Sequence, residues 1–262
     1  MQGRTVTIKP LEAGGLKAAA ALTPEEPEAL GRLNWYLHTP YARAVGAWVK
    51  EELTGYALTI GHAHSAHGTD LVVPPHWMGE GVGTALLRAL LAEMERNGAT
   101  AQVVLAPTES LGFFERFGFR AEGDLIRYTG GRHVQAALQE VVSVAPVHWL
   151  GICHLDRRAT GEDRSRWLRE HDYLAKVWLE LGRVRGFLLP LAGDGLIIAD
   201  APYIGLELQR WLLPVRDHIT LPAGQEQVHA HLVKQGYVPE PHAVRLVRGA
   251  PLPWRPEMVY GW

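Results

Sequence analysis

Residues 72–84 read Val72-Val73-Pro74-Pro75-His76-Trp77-Met78-Gly79-Glu80-Gly81-Val82-Gly83-Thr84. An apolar strand ends at two prolines, a loop with glycines at alternate positions follows, and apolar residues then recur at helical spacing up to Met94. Glycines let a backbone turn sharply and approach a ligand, and the N–H groups at the start of a helix attract an anion. The stretch therefore predicts a strand–loop–helix unit that cradles a pyrophosphate.

Two other nucleotide-binding loops do not match this stretch. A P-loop needs Lys followed by Ser or Thr after its last glycine, whereas Thr84-Ala85 follow Gly83. A dinucleotide fingerprint needs Gly-x-Gly-x-x-Gly and an acidic residue about 20 residues further on. The spacing here is Gly-x-Gly-x-Gly, and that acidic residue is missing.

The loop resembles the acyl-CoA signature of the GNAT (general N-acetyltransferase) superfamily, Gln/Arg-x-x-Gly-x-Gly/Ala, which follows a strand ending in Val-x-Pro. Gly81 and Gly83 match its glycines, and Val73-Pro74-Pro75 matches the strand exit. A second element at the expected distance, Leu-Gly-Phe-Phe-Glu-Arg-Phe-Gly-Phe over residues 111–119, is similar to the family's Phe-Tyr-x-x-x-Gly-Phe motif. The alternative is a glycine-rich turn without a ligand.

The resemblance implies that acetyl-CoA or another short acyl-CoA is the co-substrate, with no metal. Main-chain atoms at the end of the strand would pair with the pantetheine arm, and the loop would hold the pyrophosphate. The implied cofactor-binding residues are Leu71, Val72, Val73, Met78, Gly79, Glu80, Gly81, Val82, Gly83, Thr84 and Phe113.

Two residues depart from the family pattern. Met78 stands where the signature has Arg or Gln, which removes one side-chain donor near the phosphates. Phe114 replaces the frequent tyrosine that protonates the departing thiolate, and phenylalanine cannot donate a proton. Ser110, one helical turn earlier, is a candidate substitute acid; the alternative is that it caps a helix or is solvated.

The implied reaction is direct attack of an amine on the thioester in a ternary complex, which needs a base. His67 aligns with a position where family members often carry a glutamate base, and Asp70 lies three residues closer to the cofactor. The alternative for His67 is a place in a turn beside Gly68. His62, His64 and His67 could suggest a metal site, but no nearby acid or thiolate completes one, so we expect a polar hairpin.

The chain carries two copies of one pattern. Gly118, Phe119, Glu122, Arg127 and Gly131 recur as Gly, Tyr, Glu, Arg and Gly at an offset of 118 residues. Strand-like and helical stretches alternate in both copies. We therefore predict an α/β fold of the α+β type with two tandem GNAT-like domains, residues 1–135 and 143–262, each a mixed, mostly antiparallel sheet flanked by helices.

The second copy has lost the loop. Pro75 and Gly83 align with Pro202 and Gly205, so five residues are missing between them and a single glycine remains. We expect a degenerate domain that completes the acceptor cleft, buries a domain interface or forms a homodimer. Its tail, residues 251–262, is rich in proline and aromatic residues and is expected to pack as an extended strap.

Composition limits the remaining classes of function. The formal net charge of −2 and the absence of a clustered basic stretch argue against nucleic-acid binding. No run of about 18 apolar residues occurs, so no membrane span is expected. A single cysteine, Cys153, fits a cytoplasmic protein. The sequence predicts an N-acetyltransferase acting on a small-molecule or protein amine; the rival is a non-catalytic acyl-CoA-binding or interaction protein.

Overall fold

The computed structural model describes residues 5–23, 27–136 and 140–262. The chain divides into two compact units. The first contains the residues up to Leu105 together with Arg248–Ala250, and the second contains Ala106–Val247 together with Pro251–Trp262. The boundary between the predicted domains, within residues 135–143, stays a prediction.

The first unit is built on strands in the spatial order β1-β2-β3-β4-β5. Neighbouring strands are antiparallel except β4 and β5, which are parallel. The strands are β1 (Thr7–Pro10), β2 (Ala42–Val49), β3 (Glu52–Gly61), β4 (Ser65–Val72) and β5 (Ala101–Ala106). The helices are α1 (Leu16–Ala20), α2 (Pro27–Leu37) and α3 (Val82–Arg96).

Helix α3 covers one face of this sheet because its apolar residues recur at helical spacing. Val82, Leu86, Leu90 and Met94 are all buried on it. A Cβ atom added to Gly68 would lie 3.2 Å from Leu90 and 3.4 Å from Met94, so the glycine lets the helix approach the strand closely. Strand β3 is buried at almost every position, as expected for a central strand of a sheet.

The second unit contains two groups of strands. Strand β6 lies between β12 and β11, and the other group has the spatial order β13-β10-β9-β8-β7. The strands are β6 (Arg120–Thr129), β7 (Val141–Ser143), β8 (Lys176–Glu180), β9 (Arg183–Leu189), β10 (Leu196–Ala199), β11 (His218–Pro222), β12 (Val238–Gly249) and β13 (Val259–Gly261). The helices are α4 (Leu111–Glu115), α5 (Trp149–Thr160), α6 (Ser165–Glu170), α7 (Pro202–Leu212) and α8 (Glu226–Lys234).

The order of the elements occurs twice along the chain. The run β1 α1 α2 β2 β3 β4 α3 β5 α4 β6 recurs as β7 α5 α6 β8 β9 β10 α7 β11 α8 β12, and β13 follows as an extra strand. We call these runs the first and the second copy. Their closing strands, β6 and β12, pair with each other, and Arg245 bonds to the Glu122 carboxylate across them. Two residues of the repeated sequence motif, Glu122 and Arg245, thus meet across this pair of strands.

Local sequence patterning predicts a strand over residues 69–73 and helices over 108–117 and 206–213, and the structure corrects each of them. The strand predicted over residues 69–73 spans Ser65–Val72 and so includes His67. The helix predicted over 108–117 is a 3-10 turn, Thr108–Ser110, followed by the short α4. The helix predicted over 206–213 already begins at Pro202. Helices α5 and α6 were not predicted. Within the described ranges, no helix is long and apolar enough to cross a membrane.

Candidate functional site

The turn before α3 has the backbone geometry of an anion cradle. Gly79 and Gly81 have φ angles of 82° and 84°, in the left-handed region that favours glycine. A Cβ atom at either position would meet nothing within 4 Å, so the turn is open to a ligand. The first bond of the helix runs from Ala85 N to Gly81 O at 3.0 Å. The N–H groups of the three preceding residues therefore lie in the first turn, where an anion can accept from them.

A short 3-10 turn, Pro75–Trp77, fixes the start of this loop. The Trp77 side chain anchors the turn, since the residue is only 5% exposed. The backbone N–H of Trp77 donates to Pro74 O at 2.9 Å. Met78 is 65% exposed and has no donor. Glu80 is also exposed. Over residues 78–83, backbone N–H groups are therefore the donors that the loop offers to phosphate oxygens, and Thr84 adds a hydroxyl.

Strand β4 separates from β5 before it reaches the loop. The parallel pairing ends at Gly68↔Val104, whereas β4 continues to Val72 and stays paired with β3 there. The edge of Thr69–Val72 that faces β5 thus lies outside the β4–β5 ladder. An extended ligand with amide groups can pair with such a strand edge.

A β-bulge at Thr69 causes this change of direction. Asp70 pairs with Leu58, whereas Gly68 pairs with Thr59, so Thr69 is an extra residue in β4. A bulge bends its strand and increases the local twist, and bulges occur often beside active sites. The bulge therefore explains why β4 leaves β5 at this point.

The bulge also places His67 and Asp70 on the same face of the sheet. Residues three apart in a regular strand point to opposite faces. Their partners on β3, Ile60 and Leu58, are two apart and share a face. Gly68 faces α3, so His67 and Asp70 both lie on the face away from that helix. The two candidate bases are thus brought to one side of the strand that leads to the cradle.

Asp70 is held by two side chains. Arg32 of α2 donates from Nη2 to Asp70 Oδ1 at 2.7 Å and from Nε to Oδ2 at 3.4 Å. Thr69 Oγ1 donates to Oδ2 at 3.1 Å. A carboxylate that already accepts these bonds has few lone pairs left for a substrate proton. These bonds hold the Asp70 carboxylate in place beside His67, and both residues stay candidate bases.

His67 is half-buried, and its ring meets the ring of His62 edge to face, with centroids 4.9 Å apart and an angle of 88°. It lies within β4 and not in a turn, so the turn alternative for His67 is wrong. The hairpin turn itself contains His62 and His64, and His62 N donates to Ser65 O at 2.8 Å. A polar hairpin was the expectation for this run.

The remaining predicted residues, Ser110 and Phe113, lie in the second unit. Ser110 precedes α4 but makes no side-chain capping bond, so the capping alternative for it is wrong. Phe114 is buried at 7% exposure, and its ring meets those of Phe113 and Phe119 edge to face at 5.2 and 5.6 Å. The guanidinium of Arg116 lies 5.7 Å from the centre of the Phe113 ring.

Sequence reasoning missed two residues of this site. Arg32 lies 38 positions before its partner Asp70, and nothing in the sequence around it indicates that it belongs to this site. Thr69 reads as an ordinary strand residue, because the bulge is defined only by the pairing with β3. The start of α7 in the second copy is different: in the described part of the chain, no glycine with positive φ lies between Leu196 and Leu212.

Comparisons with known proteins agree with this geometry. Residues 22–139 match the family model of the acetyltransferase (GNAT) domain. Glucosamine 6-phosphate N-acetyltransferase of Trypanosoma brucei brucei is 34% identical over 90 residues, which are 33% of this chain and 57% of that protein. The chain thus spans little more than half the length of this curated relative. Residues 22–139 are thus similar to a GNAT acetyltransferase domain.

Solved structures share the fold over the whole chain. A putative acetyltransferase from Pyrococcus horikoshii superposes with a TM-score of 0.81 at 20% identity, covering 100% of this chain and 94% of that one. A GCN5-related N-acetyltransferase from Sphaerobacter thermophilus gives a TM-score of 0.64 at 15% identity, with 95% and 98% covered. The predicted fold class, α/β with large, mostly antiparallel sheets flanked by helices, is confirmed.

Proposed function

We propose that this protein is an acyl-CoA-dependent N-acyltransferase that moves an acetyl group from acetyl-CoA to an amine. The observation that carries the proposal is the separation of β4 from β5 after Gly68↔Val104, directly before the open turn at Gly79 and Gly81. One strand edge and one helix start thus offer backbone donors and acceptors along a continuous stretch of chain. An acyl-CoA has an amide-bearing arm and a pyrophosphate to match them.

Cofactor binding is assigned to backbone groups. The edge of Leu71, Val72 and Val73 would pair with the amide-bearing arm, and the turn over residues 78–84 would bind the pyrophosphate through N–H groups. The free space around Gly79 and Gly81 is what such a ligand requires. Phe113, whose ring is partly exposed, stays the aromatic contact that the resemblance implies.

The proposed chemistry is direct transfer. The amine nitrogen attacks the carbonyl carbon of the thioester, the C–N bond forms, the C–S bond breaks, and coenzyme A leaves as the thiolate. The proton lost by the amine passes to a base, for which we propose His67 on β4. The thiolate takes a proton from Ser110 or from water, because Phe114 cannot supply one.

The acceptor is proposed only as a class. An amine of a small molecule or of a protein satisfies the reaction, and the curated relative bears the name of a glucosamine 6-phosphate N-acetyltransferase. Amino sugars and their phosphates therefore belong in the first acceptor panel, beside polyamines and peptide N-termini.

The second copy is proposed to be a degenerate GNAT-like domain. The recurrence of the element order supports a duplication. Helix α7 begins with Pro202 directly after an extended N-cap, Ala201, so the first copy's glycine turn has no counterpart there. We propose that this copy does not bind acyl-CoA.

Binding is tested with a matched pair of glycines. Gly81 and Gly98 lie at the two ends of α3, have φ angles of 84° and 83°, and have nothing within 4 Å of an added Cβ. Alanine strains the backbone equally at both, but the two ends are about 22 Å apart along the helix. We expect calorimetric titration with acetyl-CoA to show micromolar affinity for the wild type and for Gly98→Ala, and a loss of tenfold or more for Gly81→Ala.

The rival function is that of a non-catalytic acyl-CoA-binding protein. It is an alternative because Met78 has no side-chain donor for the phosphates and Phe114 cannot protonate the thiolate. Thiol release from acetyl-CoA is followed with the amine panel, using the wild type and Gly81→Ala. Amine-dependent release by the wild type supports the enzyme. Binding without release for any amine selects the rival. No binding by the wild type would overturn both.

A further inference from the structure

The end of the chain lies against the second copy's counterpart of the cofactor edge. In chain order, β10 and α7 hold the positions that β4 and α3 hold in the first copy. One edge of β10 pairs with β9, and the other pairs with β13, the last strand. Both edges of β10 are therefore occupied, whereas β4 has an edge outside the β4–β5 ladder.

Strand β13 lies between β10 and β11. Ile197 and Ile198 of β10 pair with Gly261 and Val259. On the other side, Trp262 N donates to Thr220 O of β11 at 2.8 Å. The tail thus bonds through its backbone to both strands, which is the way a groove binds an extended peptide by β-augmentation.

The aromatic ring of Tyr260 rests on the first turn of α7. A Cβ atom added to Gly205 would lie 2.2 Å from the Tyr260 ring, so only glycine admits this contact. Gln209 Nε2 of the same helix donates to Tyr260 O at 2.7 Å, and both residues are almost fully buried. Gly205 aligns with Gly83 of the cradle, so the tyrosine covers the helix start that the first copy leaves open.

Contacts at Gly261 and from Gln225 also hold this segment. A Cβ atom on Gly261 would lie 2.4 Å from Gly195 O, so the groove excludes any side chain at that position. Gln225 Nε2 donates to Pro256 O at 2.9 Å and also bonds to Val259 O. The contacts therefore involve Pro256 and every residue from Val259 to Trp262.

We propose that β10, β11 and the start of α7 form a peptide-binding groove whose ligand is this chain's own C-terminal segment, residues 256–262. The segment binds in cis and fills the second copy's counterpart of the acyl-CoA cleft. The groove requires an aromatic residue at position 260 and glycine at position 261. The contacts that carry this inference all lie in the second unit, so it does not depend on the proposed acetyl transfer.

The test separates the segment from the groove. A protease site inserted between Ala250 and Pro251 is cut in the folded protein, and the freed peptide, residues 251–262, should remain bound through gel filtration. After its removal in mild denaturant and refolding, a fluorescent synthetic peptide of the same sequence should bind. The peptides Tyr260→Ala and Gly261→Ala should bind about tenfold more weakly or worse, since the first loses a buried ring and the second adds a Cβ atom against Gly195 O. The intact protein should not bind the labelled peptide.

Three outcomes would overturn the proposal: immediate loss of the cut peptide without any change in thermal stability, equal binding of the three peptides, or binding to the intact protein. If the cut chain does not refold, the full-length variant Gly261→Ala decides by thermal denaturation. Its control is Gly112→Ala in α4, where an added Cβ meets nothing within 4 Å. We expect a lower midpoint for Gly261→Ala alone, and equal midpoints would contradict the groove. Failure of acetyl-CoA binding leaves these readouts unchanged.

Discussion

Arg32 and Asp70 form an ion pair, at 2.7 Å between Nη2 and Oδ1, of which only the acidic partner is buried. The Asp70 side chain is 6% exposed and the Arg32 side chain is 44% exposed. The two residues are therefore not equivalent. Removing the arginine leaves a buried carboxylate without its charged partner, whereas removing the acid leaves an arginine that water can still solvate.

We predict that Arg32→Ala costs more stability than Asp70→Asn. The alanine variant should lose about 1–3 kcal/mol of the free energy of unfolding, because the desolvated carboxylate loses its donor. The asparagine variant keeps an oxygen that accepts from Arg32 and should lose less than about 1 kcal/mol. Urea unfolding of both variants measures this difference. Equal losses would show that Asp70 is solvated in solution.

The same geometry separates the two candidate bases. We predict that His67→Ala lowers kcat by about 10²–10⁴-fold, the usual contribution of a general base, and leaves acetyl-CoA binding unchanged. Asp70→Asn should lower kcat far less, because its carboxylate is engaged by Arg32 and Thr69. Imidazole added to His67→Ala should restore part of the rate. A larger loss in Asp70→Asn, without rescue of His67→Ala, would reverse the assignment.

The spacing of residues along the sequence predicted those parts of the site that are formed by residues close together in the chain. Helix α3 and its glycine turn follow from the spacing of apolar residues and glycines within 72–94. The start of β4 was missed because Ser65, Ala66 and Gly68 favour strands weakly. These residues form a strand because they pair with β3 on one side and with β5 on the other.

The pairing of strands that are distant in the chain could not be predicted from the sequence. The bulge at Thr69 exists only relative to β3, and it determines that His67 and Asp70 share a face. Strand β13 is three residues long and gains its structure from β10, about 60 positions earlier in the chain. A short segment of this kind has no periodicity to detect, so its tail was predicted only as an extended strap.

Phe114 permits a gain-of-function prediction. The family motif has tyrosine at this position, so we expect Phe114→Tyr to raise kcat by about tenfold, a modest part of what a general acid contributes. The control is Phe117→Tyr, which adds a hydroxyl to the same aromatic cluster, 5.4 Å from the Phe113 ring. Steady-state thiol release measures both variants. An unchanged kcat in Phe114→Tyr would mean that protonation of the thiolate does not limit the reaction.

Burial gives Tyr260 a role in alkaline stability. Desolvation, assisted by Asp200 and Glu257, raises the pKa of Tyr260 from 10.0 to about 12. The phenol ionises first in the unfolded chain, so unfolding releases a proton between these two values. Its contribution to the free energy of unfolding is therefore intact below pH 10 and falls as the pH rises towards 12.

We predict that Tyr260→Phe reduces this alkaline loss of stability. Urea unfolding at pH 8 and at about pH 11 should show a smaller difference for the variant than for the wild type. Tyr173→Phe is the control, since that ring is 68% exposed and its removal should leave the difference unchanged. The same alkaline loss in all three proteins would mean that Tyr260 is not buried in solution.

A single methyl group tests the contact between α7 and the tail. In Gly205→Ala the new Cβ would lie 2.2 Å from the Tyr260 ring, so either the ring or the helix must move. We predict a loss of about 1–3 kcal/mol in the free energy of unfolding, and faster cleavage within residues 251–262 under limited proteolysis. Gly112→Ala, also in a helix but with free space, should instead gain about 0.5–1 kcal/mol and leave the tail protected. Because helix propensity favours alanine in both variants, a gain in Gly205→Ala would show that the ring does not rest on α7.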